Sequence, residues 1–398
     1  MVRSARKWFK VRMRRVAPIV FVAALWGAAP SEASAETPSP RPAAIERDLE
    51  IARPGAAPQR LGLAAALRTL PVPTVGIALI DKSRLAWARS YGAGVSVTTQ
   101  YQAASLSKLV TAVAALRLVE QGKLALDRNV NDDLRGWRVP DSELTREHPV
   151  TLRGLLSMTA GIGVPGYLGY TPGAPLPSLT DILDGKPPAN SPPVRVVAVP
   201  GSAYAYSGGG YEIVQALIEA KTGKPFAAAM QDLLLKPAGM KNSSFTQPPS
   251  KSLARRAATG HDDDGRELPG GWRIIPELAA GGLWSTPADL ARFLVALARA
   301  NGGKRNPLLR QAMAREMMTR QNNGPYGLGG AVAGSGQSLV LMKRGQNVGY
   351  QAYMLIFPES GQGIVVMTRS DNGTTLATAL IRRAAAVYRW PPLGELAD

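Results

Sequence analysis

The chain has 398 residues, of which 45% are hydrophobic and 19% are charged, a composition typical of one large globular domain or two ordinary ones. It contains no cysteine, which excludes thiol catalysis, disulfide bonds and thiolate metal sites. Two histidines, His148 and His261, are too few for a metal centre built from several histidines, and we expect neither a metal nor a cofactor. The formal net charge of +18 would suit an anionic partner such as nucleic acid or a membrane surface.

The first 35 residues account for part of this charge. They carry seven lysines and arginines against one acid, with an apolar run at residues 16–29 that is followed by Ala33-Ser34-Ala35. This order is typical of a secretory signal peptide, and the apolar run is shorter than the roughly 20 residues that span a bilayer. We therefore predict a signal peptide at residues 1–35 and export to the periplasm or the exterior, with an uncleaved anchor as the alternative. The remaining basic residues are scattered, so we expect no nucleic-acid partner, while association with a membrane surface stays open.

Hydrophobic periodicity predicts the secondary structure in chain order. After a proline- and alanine-rich lead-in, two apolar runs joined by a tight polar turn predict a β-hairpin. Helical spacing dominates the middle of the chain, and a short β-like period follows residue 326. The predicted helices span residues 106–120, 151–158, 211–220, 226–235, 287–300 and 376–388. The predicted strands span residues 75–80, 85–91, 327–333, 338–342, 350–357 and 363–368, and a proline-rich loop covers residues 162–202.

Strands at both ends of the chain with helices between them predict an α/β fold of the α+β type. We expect an antiparallel sheet flanked by helices and built from both chain ends, with an inserted, mostly helical domain and the active site between the two. The predicted parts are a flexible lead-in at residues 36–60, a sheet domain at 61–102 and 270–398, and the inserted domain at 103–269.

Ser105 and Lys108 are the first candidates for chemistry. Ser105 begins the most regular predicted helix, and Lys108 lies one turn later on the same side. A serine hydroxyl is a poor nucleophile unless a neighbour takes its proton, and a lysine whose pKa is lowered by burial or positive charge can do so. The spacing alone is a weak signal, because Ser4 and Lys7 repeat it. A helix N-cap beside a solvated lysine is the alternative interpretation.

Two further motifs follow in the chain. Tyr204-Ala-Tyr206-Ser-Gly208-Gly-Gly-Tyr211 comes directly before a predicted helix, and Lys343-Arg-Gly345-Gln346 leaves a predicted strand. Together with the Ser105 motif, in this order, they resemble the serine β-lactamase and penicillin-binding protein superfamily, in particular class C β-lactamases and their DD-peptidase and esterase relatives. The resemblance extends from about residue 75 to residue 387.

The resemblance implies a role for each matching residue. Ser105 is similar to the acylated nucleophile of the family, Lys108 to its partner base, and Tyr206 to the tyrosine that moves protons during the reaction. Lys343, Gly345 and Gln346 match the strand that lines the substrate site. The backbone N–H groups of Ser105 and Gln346 would then hold the oxyanion.

Gly208 departs from the family pattern, which has asparagine at this position. In β-lactamases the asparagine amide hydrogen-bonds the acylamide side chain of the substrate. Losing such a hydrogen bond costs about 1–3 kcal/mol. We therefore expect Gly208 to stand in the substrate-binding region of an enzyme that turns over β-lactams weakly.

The resulting prediction is an exported serine hydrolase that acts through an acyl-enzyme on ester, amide or D-amino-acid peptide bonds. Its expected partner is a small molecule or a peptidoglycan-type peptide. An efficient class C β-lactamase or a DD-carboxypeptidase is one alternative, and a non-catalytic module that binds peptidoglycan peptides is another.

Other motifs have plainer interpretations. A literal Lys221-Thr-Gly223 follows a predicted helix and is interpreted as its C-cap rather than as the strand motif. The acidic residues after His261 are interpreted as an exposed turn, with a cation site as the alternative. Tyr167 and Tyr170 of the proline-rich loop either line a substrate cleft or lie on the surface.

Overall fold

The computed structural model describes residues 40–53, 55–322 and 324–393, along which helices and strands alternate. The α-helices in these ranges are α1 (Pro40–Ile45), α2 (Leu63–Thr69), α3 (Leu106–Glu120), α4 (Leu152–Ser157), α5 (Leu179–Asp184), α6 (Gly209–Thr222), α7 (Phe226–Met230), α8 (Lys251–Ala254), α9 (Leu278–Gly281), α10 (Pro287–Asn301), α11 (Gln311–Met317) and α12 (Gly373–Tyr388). The strands are β1 (Leu49–Ile51), β2 (Gln59–Leu61), β3 (Val75–Asp81), β4 (Arg84–Tyr91), β5 (Tyr101–Gln102), β6 (Trp284–Ser285), β7 (Ala331–Ala333), β8 (Val340–Asn347), β9 (Tyr350–Phe357) and β10 (Gln362–Thr368). A π-helix at Gln231–Leu235 extends α7, and short 3-10 turns lie at Val130–Asp132, Glu143–Thr145 and Gly336–Ser338.

A six-stranded antiparallel sheet joins the two ends of the described chain. Its strand order is β4-β3-β10-β9-β8-β7, so the hairpin β3–β4 from the N-terminal half pairs with β10 near the C-terminus. Along this junction Val75 lies opposite Thr368, and Ile80 lies opposite Gly363. The predicted α/β class, with an antiparallel sheet built from both chain ends, is thereby confirmed.

Burial along β3 shows that both faces of this sheet are covered. Successive side chains of a strand point to opposite faces, and the first six residues of β3 are all buried. α10 packs on β3, β4, β9 and β10, while α12 packs on β9 and β10. A strand with a continuous apolar sequence is expected where both faces are covered in this way.

α3 has the bounds that its spacing predicts, and it is buried on nearly all sides. Twelve of its 15 residues are buried. The reason is that α3 packs against α6, α9 and β8 at the same time. The helix therefore begins inside the molecule, beside the sheet, and not at its surface.

Two strands depart from the prediction in ways that affect the site. β7 covers only the end of the predicted strand 327–333, because Gly329, at φ 112°, brings the backbone so close to α3 that an added Cβ would lie 2.5 Å from the Ala112 Cβ. β8 continues to Asn347 instead of ending at residue 342. Residues 343–347 therefore belong to the sheet but extend beyond its neighbour β7.

The described part of the predicted lead-in is folded, which corrects the prediction of a flexible segment there. Residues 40–51 contain α1 and β1, and both of these elements pack on α12. Leu49 and Ile51 are buried while Glu50 between them is exposed. This alternation allows β1 to pair with β2 and to pack on α12 at the same time. It is only three residues long, and within a proline-rich segment so short a pattern does not identify a strand.

The predicted signal peptide lies outside the described residues. From Pro40 onward the chain forms one compact unit, within which the predicted boundaries at residues 102 and 270 stay predictions. No helix in the described ranges combines the length and the apolar character needed to cross a bilayer.

Candidate active site

A cleft of about 320 Å³ lies where the start of α3, the second half of β8 and the segment before α6 meet. Four of the predicted site residues line it with Ser105, namely Lys108, Tyr206, Lys343 and Gln346. The two predicted glycines, Gly208 and Gly345, are not among its lining residues, but each adjoins one: an added Cβ on Gly208 would lie 3.1 Å from Tyr167, and Gly345 precedes Gln346. The structure thus brings together residues that are up to 241 positions apart in the chain.

Ser105 is presented to the cleft by a strained turn. It is the N-cap of α3, and Ala104 directly before it has φ 48°, a left-handed conformation that costs a non-glycine residue energy. The Ala103 N–H donates to the Leu283 carbonyl at 2.8 Å. Ser107 Oγ, one turn into the helix, accepts from the Leu283 N–H at 3.1 Å. These bonds to the segment before β6 hold the strained turn in place.

Lys108 is buried and directed at Ser105. Its Nζ donates to Ser105 Oγ at 3.0 Å and to the Ala280 carbonyl at 2.7 Å. Its side chain is only 1% exposed, and Nζ lies 5.3 Å from the centre of the Tyr206 ring, within cation–π range. The alternative of an N-cap beside a solvated lysine is therefore wrong.

The site makes Tyr206 more acidic than an ordinary tyrosine. Burial raises the pKa of Tyr206 and is the largest single contribution, whereas the cations of Lys108 and Lys343 favour the ionised form. Together with hydrogen bonding to Ser105 and Lys343, they lower the pKa of Tyr206 to about 7. A phenolate at this position is therefore accessible near neutral pH.

Lys343 links Tyr206 to a second tyrosine that the sequence analysis missed. Lys343 Nζ donates to the Tyr206 hydroxyl oxygen at 3.2 Å and to that of Tyr326 at 3.0 Å. Burial lowers the pKa of Lys343, and burial raises the pKa of Tyr326. Tyr326 lies just before β7 in the glycine-rich stretch Gly324-Pro-Tyr-Gly-Leu-Gly-Gly330, so no periodic signal marks it.

The second half of β8 passes close to the start of α3. β7 pairs with Val340–Met342, so β8 extends past β7 from Lys343 onward. An added Cβ on Gly345 would lie 2.5 Å from the Ala103 carbonyl oxygen and 2.9 Å from the Ser105 nitrogen. Glycine is required here because two backbones approach each other. The approach brings Gly345, the residue before Gln346, beside the Ser105 nitrogen, and an oxyanion site made of the Ser105 and Gln346 N–H groups stays a prediction.

Two buried acids lie behind Lys108, and the sequence analysis identified neither. Glu212 Oε1 accepts from the Ala280 N–H at 3.1 Å, so Glu212 supports the residue whose carbonyl holds Lys108. Burial and the nearby Glu277 raise the pKa of Glu212 well above its ordinary value. Burial raises the pKa of Glu277 to about 7.

The plainer interpretations of the literal Lys-Thr-Gly and of the acidic turn are confirmed, and Tyr167 takes the cleft position that was left open for it. Gly223 is the C-cap of α6 at φ 65°, so the literal Lys-Thr-Gly is a helix end. Asp262, with its two acidic neighbours, forms a turn in which Arg266 pairs with the Asp262 carboxylate at 3.2 Å. Tyr167 lines the cleft, whereas the Tyr170 hydroxyl accepts from the Asn190 N–H at 3.0 Å.

Comparison with known proteins supports the identification of this cleft as a hydrolase site. The family model described as beta-lactamase matches residues 62–389, more than half of the chain. Penicillin-binding protein 4 of Amycolatopsis lactamdurans is 33% identical over 210 residues, which cover 51% of this chain and 52% of that protein. The chain thus aligns with about half the length of this relative.

A longer alignment joins the chain to the D-alanyl-D-alanine-carboxypeptidase/endopeptidase AmpH of Escherichia coli strain K12. The two are 25% identical over 311 residues, which cover 71% of this chain and 76% of AmpH. Among solved structures, the D-amino acid amidase of Ochrobactrum anthropi SV3 superposes on this chain with a TM-score of 0.68 at 21% sequence identity. The superposition covers 88% of this chain and 100% of the amidase, and it shows that the two proteins share a fold. The family match and these likenesses establish that the chain belongs to the beta-lactamase family, as a serine hydrolase related to β-lactamases.

Proposed function

We propose that this protein is an exported hydrolase that cleaves ester, amide or D-amino-acid peptide bonds through an acyl-enzyme on Ser105. The observation that carries the proposal is the 3.0 Å hydrogen bond between Lys108 Nζ and Ser105 Oγ inside a cleft. A buried lysine held this close to a helix-terminal serine has no evident structural purpose, because an alkyl side chain would fill the same space without the cost of burying an ammonium group.

Acylation begins when Ser105 Oγ attacks the carbonyl carbon of the substrate and its proton passes to the Tyr206 phenolate. We assign this proton to Tyr206 because its lowered pKa makes it a base near neutral pH. Lys108 meanwhile keeps Oγ oriented by its hydrogen bond. The negative charge that forms on the carbonyl oxygen is held by the N–H groups of Ser105 and Gln346.

Collapse of this intermediate expels the leaving group, which takes the proton from Tyr206 and leaves an ester on Ser105. A water molecule then attacks the ester carbonyl and gives a proton to Tyr206. The second collapse breaks the bond to Ser105 Oγ, which regains its proton as the acid is released. Tyr206 thus accepts and returns one proton in each half of the reaction, and the balance needs no other reagent.

The activities for which the relatives are named support this range of substrates. AmpH is named as a D-alanyl-D-alanine carboxypeptidase and endopeptidase, and the amidase as an enzyme of D-amino acids. Esters follow from the chemistry, since an acyl-enzyme forms more readily with a better leaving group. Gly208 lacks the amide that would bind the acylamide of a β-lactam, so we propose weak turnover of penicillins and cephalosporins.

The proposal is tested by exposing the purified protein to a fluorophosphonate and measuring its intact mass. One adduct is expected in the parent protein and none in Ser105→Ala, with the circular dichroism spectrum unchanged. Ser202→Ala removes an exposed serine outside the cleft and serves as the matched control, which should label like the parent. An unchanged adduct yield in Ser105→Ala would overturn the assignment. Absence of any adduct in the folded parent would favour the binding-module alternative.

Export is tested separately, by expressing the full chain in a Gram-negative host and fractionating the cells. Cleavage after Ala35 predicts a periplasmic protein whose first residue is Glu36. An intact N-terminus in the membrane fraction would instead support the uncleaved anchor.

A further inference from the structure

Tyr167 forms part of the cleft wall, which is one of the two positions that the sequence analysis left open for it. It lies between α4 and α5 and lines the cleft together with Ser105, Lys108 and Tyr206. Its hydroxyl oxygen is buried and makes no hydrogen bond within the described ranges. Burial and the neighbouring carboxyl groups of Glu212 and Glu277 raise the pKa of Tyr167 well above its ordinary value. The hydroxyl of Tyr167 therefore lies on the buried side of the residue, and its ring forms the surface of the cleft.

The ring of Tyr167 occupies the space that a side chain at position 208 would need. An added Cβ on Gly208 would lie 3.1 Å from Tyr167 Cε2 and 3.2 Å from the Pro165 carbonyl oxygen. The backbone of Gly208, at φ −72° and ψ −40°, is one that any residue adopts. The backbone conformation therefore does not require glycine, and a side chain here would fit only if Tyr167 or the Pro165 carbonyl moved by a few tenths of an ångström.

Backbone hydrogen bonds hold the Tyr167 segment in this position. The Gly208 N–H donates to the carbonyl oxygens of Val164 at 2.9 Å and of Pro165 at 3.1 Å, and the Gly209 N–H donates to Val164 at 2.9 Å. Val164 has φ 62°, a conformation that a β-branched residue adopts only where its surroundings impose it. The segment before Tyr167 is thus fixed against the start of α6 by its main chain.

We propose that Tyr167 is a specificity-determining residue that replaces the family's amide with an aromatic wall, so that the enzyme prefers acyl donors with an apolar chain over acyl donors with an acylamide. The inference rests on the proposed acyl-enzyme function and names the substrate class of the same site. Leu168, the next residue, is 72% exposed and extends the apolar character of the segment.

The physical reason is the cost of burying an amide without partners. A substrate acylamide placed against the ring loses its hydrogen bonds to water there and gains none from position 208, which has no side chain, or from the Tyr167 hydroxyl, which is buried. Such a loss of about 1–3 kcal/mol corresponds to a roughly 5- to 150-fold reduction in kcat/KM. An alkyl chain of the same length carries no such penalty.

The test uses two esters with the same leaving group and equal acyl length, p-nitrophenyl pentanoate and the p-nitrophenyl ester of N-acetylglycine. The kcat/KM of each ester is divided by its own rate of alkaline hydrolysis, which removes the difference in intrinsic reactivity. The ratio of the two corrected values, pentanoyl over acetylglycyl, is the specificity. We expect a ratio of about ten or more for the parent.

Four variants test separately the effects of the Tyr167 ring, of its hydroxyl and of the space at position 208. Tyr167→Ala is expected to lower the ratio by about tenfold, whereas Tyr167→Phe restores the ring and keeps the preference. Gly208→Asn alone should lower the melting temperature, because its side chain meets Tyr167. Tyr167→Ala combined with Gly208→Asn should recover much of that loss and shift the ratio further toward the acetylglycyl ester. Tyr170→Phe, on the same loop but hydrogen-bonded to Asn190, is the control whose ratio should match the parent.

Fluorophosphonate labelling of every variant separates two kinds of failure. If the parent does not label and hydrolyses neither ester, the proposed function itself is overturned. If Ser105 labels and both esters are hydrolysed, but Tyr167→Ala leaves the ratio within about twofold of the parent, the role of Tyr167 is overturned. A parent ratio below one, favouring the acetylglycyl ester, would overturn it equally.

Discussion

Lys343 Nζ lies 3.2 Å from the Tyr206 hydroxyl oxygen and 4.7 Å from the centre of the Tyr206 ring. A cation this close stabilises the phenolate, and Lys108 adds a second cation 5.3 Å from the same ring. The pair of lysines therefore determines the pH range in which Tyr206 can accept a proton.

The pH dependence of acylation should follow the ionisation of Tyr206. Because the pKa of Tyr206 is lowered to about 7, the base form accumulates as the pH rises through about 7, and the labelling rate should rise with it. Lys343→Met removes one of the cations, so the rising part of the plot of labelling rate against pH, its ascending limb, should move to higher pH. Lys224→Met removes an exposed cation that pairs with Asp232 and should leave the limb in place. A limb that stays near pH 7 in Lys343→Met would contradict this account.

Lys108→Met should separate activity from stability. Loss of the hydrogen bond to Ser105 Oγ is expected to slow fluorophosphonate labelling by about 100-fold or more. The melting temperature should fall little or rise, because methionine fills the site of a buried ammonium whose burial is costly. Stopped-flow labelling and thermal unfolding measure the two effects. Unchanged labelling, or unfolding of the variant, would contradict the role given to Lys108.

Gly345→Ala should damage the site through a backbone clash. The new Cβ would lie 2.5 Å from the Ala103 carbonyl oxygen and must push β8 away from the start of α3. We expect the ester kcat/KM to fall by about tenfold or more, since displacement of the oxyanion donors costs this much or more. Gly281→Ala also adds a methyl group to the cleft, but at 3.5 Å from its neighbours, and should be tolerated. Equal activities of the two variants would contradict the proposed approach of β8 to Ser105.

Glu277 should make the protein less stable as the pH rises. Its folded pKa of about 7 exceeds its ordinary value of 4.5, so the native state holds an extra proton between these values and loses stability as that proton leaves. This proton should contribute a fall of up to about 3 kcal/mol to the free energy of unfolding by urea between pH 5 and pH 8, at roughly 1.4 kcal/mol per unit of pKa. Glu277→Gln should remove this contribution and leave that of Glu212, whose pKa is also raised. The exposed control Glu143→Gln should leave the slope unchanged. Equal slopes for Glu277→Gln and the parent would contradict the prediction.

The sequence alone was enough for the fold class and for the order of the three site motifs. Periodicity identified α3 to the residue, because its 15 positions combine helical spacing with a clear start at Ser105 and an end before Gly122. It missed β1, whose three residues are too few to show a period. Pattern-based inference works where an element is long enough to repeat, and fails where tertiary packing stabilises a short one.

The sequence by itself determined which residue types are available for the chemistry: a serine, two lysines and a tyrosine in motifs, with a glycine where the family has asparagine. The tertiary structure alone decided their distances, the burial of Lys108 and Lys343, and hence the acidity of Tyr206. It also revealed Tyr326, Glu212 and the Tyr167 ring over Gly208. These last features depend on contacts between distant segments, and no local pattern records which side chains such contacts bring together or how far they exclude water.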